Sequence, residues 1–470
     1  MIGAGMTGLL AAAAISRADR DAEVVVLERD VLPDAPENRR GVPQGQHAHL
    51  LMAGGLSAME ALFTDSLRER LAEAGAHRIP MANGMLALAP DAGWFRRYRG
   101  EGPSMITCTR ALLDWVVRAA LLEQAGNVSI HRATVEGLLG DARRVRGVRV
   151  SGSDATLGRE LEADLVVDAS GRGSRTVHWL SDIGIRGVKE RKVDSGLTNA
   201  TRIYRTPDGA ETFPLTVIQA DPHSGRPGRS AMVLPIEGNR WMVSAGGTRG
   251  GEPPSDEEGF LGYCRSLPHP IVGRLVSGAE PLTGVVVSRS TSNVRRYFER
   301  SPLWPERFLV LGDALATFNP AYGQGISVGA LGAHGLYRAL RQDGISRPGL
   351  TRRVLHGAAR HVGTAWSTAV AMDVLYPRVR GGSPTVADRA AAAYARRLTR
   401  AATSSRDAAA ALWDLTSLRA GPARALRPAA LLATVTRPLL PPISEPPLLP
   451  AERRILERLG KAAEDACGTR

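Results

Sequence analysis

The sequence predicts an α/β chain: a dinucleotide-binding parallel sheet carrying an inserted, mainly antiparallel sheet, followed by a helical C-terminal region. Three observations lead there. Gly3-Ala4-Gly5-Met6-Thr7-Gly8 opens the chain, and Glu28 closes the apolar run Val24-Val25-Val26-Leu27 twenty residues after Gly8. Between about Val193 and Ser290 the texture turns to short β-rich runs separated by proline and glycine clusters. From about Pro348 onward the chain is rich in alanine and arginine at helical spacing.

Each element follows in order. In a strand-turn-helix unit the first glycine allows the tight turn, the second lets backbone amides approach a diphosphate, and the third lets helix and strand pack closely. Gly3, Gly5 and Gly8 take those positions, and Glu28 stands where a carboxylate takes ribose hydroxyls. Only Met1-Ile2 precede the turn, so the buried first strand is almost missing, and the expectation is a native N-terminus extending upstream of Met1. Arg39 to His49 reads as a loop, Gly55 to Gly75 and Ala111 to Gln124 as helical, and Arg110 stands just before the second of these, within reach of phosphate. Val145 to Val150 and Leu165 to Val167 read as strands, the latter delivering Asp168-Ala169-Ser170-Gly171 into a turn. Strands are expected over Thr198–Tyr204, Leu215–Gln219, Ser230–Ile236, Trp241–Ala245 and Leu282–Ser288. Arg437 to Pro450, with six prolines, reads as an extended strap before a short final helix.

A second apolar strand, Phe308-Leu309-Val310-Leu311, ends in Gly312-Asp313, and Pro320-Ala321-Tyr322-Gly323-Gln324-Gly325 leads into a helix. Asp313 at a strand end accepts from sugar-like hydroxyls, and the amides of 323–327 offer positive potential to an electron-rich ring edge. A nicotinamide enzyme has no use for both. They suit a flavin, whose ribityl chain needs an acceptor and whose reduced ring carries negative charge.

Composition narrows the rest. At 470 residues and 43% hydrophobic content the chain buries a large core divided among domains. The net charge of +13 has no basic stripe interleaved with aromatics, so nucleic acid is not the expected partner. Cys108, Cys264 and Cys467 show no paired spacing, which fits a reducing compartment, and His47 and His49 lack a third ligand by spacing, so no metal is expected. No stretch reaches the length of a membrane span and no leader-like segment opens the chain, so the expected location is cytoplasmic, without membrane association.

The opening glycines, the Asp168-Ala169-Ser170-Gly171 turn and Gly312-Asp313 with Pro320 to Gly325 resemble the three flavin motifs of aromatic-hydroxylase-type FAD monooxygenases. More narrowly, Arg40-Gly41-Val42-Pro43-Gln44, His47-Ala48-His49, Arg110 to Trp115, Thr248 to Pro254 and Phe318-Asn319-Pro320 resemble the flavin-dependent epoxidases of polyether antibiotic biosynthesis, the lasalocid and monensin type. The resemblance implies FAD on a Rossmann-like fold, with Gly3, Gly5 and Gly8 at the pyrophosphate and Glu28 at the adenosine ribose. It further implies phosphate or ribityl contacts from Arg29, Arg40 and Arg110, Asp168 and Gly171 toward the adenine, and Asp313 on the ribityl chain. Pro320, Gly323, Gln324 and Gly325 would lie near the flavin. A flavin hydroperoxide would pass oxygen to a hydrophobic, polyketide-like alkene, so no protein residue is assigned as catalytic. The divisions implied are an FAD-binding part over 1–190 with an excursion near 81–105, a β-rich substrate part over 191–292, a return to the FAD-binding part over 293–345, and a helical region over 346–470.

One departure from the epoxidases stands out. They carry Tyr-Gly-His-Gly-Met in the late loop, where this sequence reads Tyr322-Gly323-Gln324-Gly325-Ile326. The alternative reading is a redox-neutral, decalin-forming cyclase that keeps FAD as a structural element. A halogenase would show a Trp-x-Trp-x-x-Pro segment, which is absent. No second dinucleotide fingerprint is present, so electrons would come from visiting NAD(P)H or a partner flavin reductase, and the substrate is either free or carried on a protein.

Overall fold

The computed structural model describes residues 1–470 apart from positions 90, 101, 153–157, 290, 425–426, 437–439 and 469–470. Arg437 to Leu439, the start of the expected proline strap, therefore lie outside the described residues. The first layer is parallel. Val24–Glu28 pairs with Val128–Arg132, and Val166–Asp168 pairs with Phe308–Val310. Met1-Ile2 joins the two pairs: Ile2 N donates to Val167 O at 2.9 Å, and Leu27 N donates to Met1 O at 2.9 Å. Two residues of backbone thus hold the position of the central strand.

Helix α1 (Met6–Ala18) covers this layer and is buried along most of its length, which is why it reads as continuous alanine and leucine. Ahead of the next layer come α2 (Ala53–Glu60) and α3 (Arg110–Gln124). The side chain of Thr109 caps α3 by accepting from Leu112 N at 3.1 Å.

The β-rich stretch forms a seven-stranded sheet in the order Val286–Ser288, Thr198–Arg205, Arg240–Gly247, Arg229–Ile236, Leu215–Ile218, Met85–Ala89, Gly93–Trp94. Every neighbouring pair is antiparallel except Leu215–Ile218 with Met85–Ala89, which is parallel because the latter strand arrives from the earlier excursion. Glu190–Val193 stays out of this sheet. It pairs with Asn293–Arg296, which pairs in turn with Ala316–Thr317 beneath the late loop.

From Gly325 onward the chain is helical: α4 (Gly325–Asp343), α5 (Leu350–Asp373), α6 (Val386–Ala402), α7 (Arg406–Thr416), α8 (Pro428–Thr436) and α9 (Pro450–Gly468). Helix α4 packs on α1 closely enough that a Cβ on Gly329 would overlap the Thr7 side chain, and the turn at Gly312 approaches the same side chain as closely. Helices α6 to α8 lie on one face of the seven-stranded sheet through Leu215, Leu234, Met242, Leu398 and Trp413. The opposite face is sealed by Trp241, Phe260 and Ile271. The strap runs along the sheet edge, where Trp94 N donates to Ile443 O at 3.0 Å and Trp94 Nε1 to Ser444 O at 3.1 Å. No helix among the described residues is long and apolar enough to cross a membrane.

Candidate functional site

The three opening glycines do different work. Gly3 sits at φ +92°, and a Cβ there would lie 2.8 Å from Ala169 O and 2.9 Å from the Ser170 Cα. A Cβ on Gly8 would overlap the Gly3 carbonyl oxygen. Gly5 is different: its backbone is extended, and the nearest atom to a Cβ there is the Arg39 Nη2, 3.9 Å away. Two glycines close the turn against the fold, and the middle one faces open space. Gly5 is also the N-cap of α1, which has no side-chain cap and no acidic residue in its first turn, so its free amides point into that space with the positive end of the helix dipole.

Glu28 flanks the turn. Its Oε2 accepts from Ala4 N at 2.9 Å and its Oε1 from Asp30 N at 3.1 Å. Arg39 lies behind, donating from Nη1 to Ala4 O at 3.1 Å, with Nη1 3.8 Å from Glu28 Oε2 and Nη2 3.6 Å from Asp114 Oδ2. Its Nε is buried with no partner among the described residues. Arg110 is buried and donates from Nε to Asp114 Oδ1 at 2.7 Å. The sequence reading singled out Arg29 and Arg40, both of which are exposed, and passed over Arg39. Two adjacent arginines at 39 and 40 carried no signal as to which would turn inward; the Glu28 and Asp114 carboxylates decide it.

The Asp168 side chain is spent on its own turn. It is fully buried, and its carboxylate accepts from Ser170 N (2.9 Å), Ser170 Oγ (2.6 Å), Ser174 Oγ (2.5 Å) and the Thr176 hydroxyl. The side chain folds its own turn rather than facing outward. What faces outward is the backbone at Gly171, φ +79°, where a Cβ would find nothing within 4 Å.

Asp313 has the opposite character. Its carboxylate accepts no hydrogen bond among the described residues, and burial raises its carboxyl above the ordinary range while the guanidiniums of Arg172, Arg110 and Arg296 pull it back. A recessed acceptor with free lone pairs and cationic surroundings is suited to a chain of hydroxyls. A Cβ on Gly325 would sit 3.9 Å from Asp313 Oδ1, so the start of α4 shares this space. Gln324 is the N-cap of helix α4 and makes no side-chain cap. Gly323, at φ +63°, supplies the left-handed turn that aims those amides, and Pro320 is exposed. Gln324 Oε1 and Ser327 Oγ are buried at this helix end without partners among the described residues.

The late loop is tied down by Asp373 at the end of α5, a residue 1% exposed. Its Oδ2 accepts from Asn293 Nδ2 at 2.7 Å and Asn319 Nδ2 at 2.9 Å, and its Oδ1 from Tyr322 OH at 2.8 Å. Nothing in the sequence around Asp373 announced this, because its partners are 51 or more residues away.

His47 and His49 close the cleft toward the seven-stranded sheet. His47 Nδ1 lies 2.9 Å from Thr201 Oγ1, which lies 2.9 Å from Ser244 Oγ. Burial lowers the pKa of both histidines, and Arg110 assists in bringing His49 to about 4. Both imidazoles are therefore neutral at pH 7. Among the described residues no three His, Cys, Asp or Glu side chains converge as a metal site would require. Burial suppresses the acidity of the Cys108 and Cys264 thiols, the latter pushed up to about 12, so neither is a ready nucleophile.

Beyond Thr201 and Ser244 the same sheet face turns apolar. Met52, Met81, Met105 and Met242 are buried in the layer under α6 to α8, and Met85 and Met232 pack against it. Six of the ten methionines thus gather in one place, which makes this layer soft and adaptable.

Residues 1–343 match the family model described as an FAD binding domain. The chain belongs to this FAD-binding family. Protein Rv3254 of Mycobacterium tuberculosis (strain ATCC 25618 / H37Rv) is 33% identical over 356 residues, covering 73% of this chain and 72% of that protein. Among solved structures, the flavin-dependent brominase Bmp2 aligns with a TM-score of 0.64 at 13% identity, over 92% of this chain and 97% of its own. The p-nitrophenol 4-monooxygenase PnpA from Pseudomonas putida DLL-E4 aligns at 0.60 and 18%, over 89% and 95%. The Diels-Alderase PyrE3 of the pyrroindomycin biosynthetic pathway aligns at 0.56 and 18%, over 88% and 79%. At these identities the structural likenesses speak to the fold alone. The cleft fits the cofactor of its family: an open glycine facing free helix amides, an acceptor at Asp313 that has no partner among the described residues, and a second uncapped helix start.

Proposed function

We propose that this protein is an FAD-dependent monooxygenase that transfers one oxygen atom of dioxygen to a hydrophobic, polyketide-like alkene by epoxidation, in natural-product biosynthesis. The observation that carries this reading is an adjacency: His47, beside the glycine and arginine cluster suited to FAD, is joined through Thr201 and Ser244 to the sheet whose apolar, methionine-rich face packs under α6 to α8. In that reading the α1 amides at Gly5 hold the diphosphate, Glu28 the adenosine ribose, Asp313 the ribityl chain, and the amides of 323–327 the polar edge of the ring. Arg39 and Arg110, already paired with carboxylates, set the charge around the diphosphate. FAD, when bound and reduced, supplies the activation of dioxygen.

The chain's own residues then exclude water and orient the alkene. The methionine layer accepts a flexible apolar chain without fixed shape, and His47, held by Thr201, keeps a neutral hydrogen-bonding group at its edge. No acid-base dyad is required, since overall one oxygen atom enters the alkene, the other leaves as water, and two electrons come from NAD(P)H directly or through a reductase. The substrate arrives free or on a carrier protein.

The redox-neutral cyclase stands as the second reading, supported by the same apolar layer and compatible with a fold that a Diels-Alderase shares. One experiment separates the two. FAD-loaded protein is given a linear polyene, NADPH with a flavin reductase, and isotopically labelled dioxygen, and the product is weighed. Incorporation of one labelled oxygen supports the monooxygenase. Conversion of the polyene to an isomer of unchanged mass, under strict anaerobiosis and with oxidised FAD, overturns it in favour of the cyclase.

A further inference from the structure

We propose that Asp373, beyond the part of the chain that matches the FAD-binding family, is a positioning residue that holds the late loop so that the α4 amides meet the flavin ring. The inference rests on the reading above only for where the ring lies; it is independent of which reaction follows.

The geometry is unusual for a surface-loop anchor. A carboxylate buried away from water is costly unless donors surround it. Asp373 has donors from two separate segments, Asn293 from the strand Asn293–Arg296 and Asn319 and Tyr322 from the late loop, and Asn319 in turn donates to the Ser195 hydroxyl on the approach to the seven-stranded sheet. Burial raises its carboxyl while these donors pull it down. Asn319 is itself saturated. Its N donates to Asn293 Oδ1 at 2.8 Å, its Oδ1 accepts from Ala321 N at 3.0 Å, and its Nδ2 reaches both Asp373 and Ser195.

The consequence runs along the chain. Only Gly323 and Gln324 separate Tyr322 from Gly325, the first residue of α4. Tyr322 N donates to Asn319 O and Gly323 N to Pro320 O, so the turn is a closed unit whose two ends are Asn319 and Tyr322. Both ends are gripped by one carboxylate. Fixing Asp373 therefore fixes where the first amides of α4 point, and a loop carrying exposed Pro320 and Ala321 is rigid because of a residue on another helix.

The alternative is that Asp373 merely stabilises the fold. Two variants of the full chain, Asp373→Asn and Tyr322→Phe, separate these ideas. Asp373→Asn turns an acceptor into a donor facing the Asn293, Asn319 and Tyr322 donors; Tyr322→Phe removes one donor and little volume. FAD binding is titrated by fluorescence with each purified apoprotein, and the visible spectrum of bound FAD is recorded without substrate. The expected result is a Kd for FAD raised about tenfold or more in Asp373→Asn and about threefold in Tyr322→Phe, with bound-flavin bands displaced in the same direction in both. If both variants bind FAD within twofold of the parent with an unchanged spectrum, the proposal is wrong, whatever happens to the melting temperature. Should Asp373→Asn fail to fold, Tyr322→Phe decides by the same two readings.

Discussion

Replacing Gly5 by alanine isolates cofactor binding from folding, and the structure sets the size of each effect. Gly5 has φ −73° and ψ 175°, an extended conformation that alanine adopts without strain. The added methyl would meet no protein atom closer than the Arg39 Nη2 at 3.9 Å, an ordinary van der Waals separation. The apoprotein is therefore expected to be unchanged, or more stable by about 0.4–1 kcal/mol, because alanine reduces the freedom of the unfolded chain. The methyl nevertheless fills the space in front of the α1 amides. Charge-assisted hydrogen bonds contribute about 1.5–3 kcal/mol each, so displacing a diphosphate from a single amide raises the FAD Kd roughly tenfold to a hundredfold. Gly8→Ala is the control with the opposite pattern. Its methyl overlaps the Gly3 carbonyl oxygen, so α1 must move off the sheet and the apoprotein loses about 1–3 kcal/mol or more. Urea denaturation of both apoproteins and FAD titration by fluorescence measure the two quantities. A Gly5→Ala protein that binds FAD within a factor of two of the parent would refute the assignment of that open space to the diphosphate.

Three further outcomes are expected. Asp313→Ala, removing the recessed acceptor, should weaken FAD roughly tenfold to a hundredfold by titration while the apoprotein melts within a few degrees of the parent. Arg39→Ala should lower both FAD affinity and stability, since it leaves Glu28 and Asp114 without their shared cation, whereas Arg40→Ala, at an exposed position, should change neither; equal effects at 39 and 40 would contradict the placement of Arg39. His49 has a folded pKa of about 4 against an ordinary 6.5, so the folded state resists its protonation, and stability present above pH 6.5 is lost as pH falls toward 4. Between pH 7.5 and pH 5 that loss is about 2 kcal/mol, and urea midpoints of a His49→Gln protein should fall less steeply over that range than the parent's.

How much of this was legible beforehand varies with the range of the interaction. Gly3, Gly5, Gly8 and Glu28 could be read because turn, helix start and second strand are neighbours in sequence, and the physical demands on each position are local. Gly312-Asp313 and the start of α4 were readable for the same reason. The runs between Val193 and Ser290 announced strands, yet not that Glu190–Val193 would leave the main sheet to pair beneath the late loop. That choice depends on Asn293–Arg296, about a hundred residues later. The spacing placed the Asp168 turn between two strands, but that three hydroxyls would fold back onto its carboxylate is something spacing alone does not specify.

By itself the sequence determined the family of the cofactor and the order of the elements that meet it, because glycine, proline and capping patterns act within one or two turns of chain. Only the tertiary structure decided which arginine turns inward, which carboxylate keeps its acceptors free, and that Asp373 grips the late loop from another helix. The physical reason is the same in each case: burial makes a charge expensive until partners from distant segments surround it, and those partners are brought together by the fold rather than by the local chain.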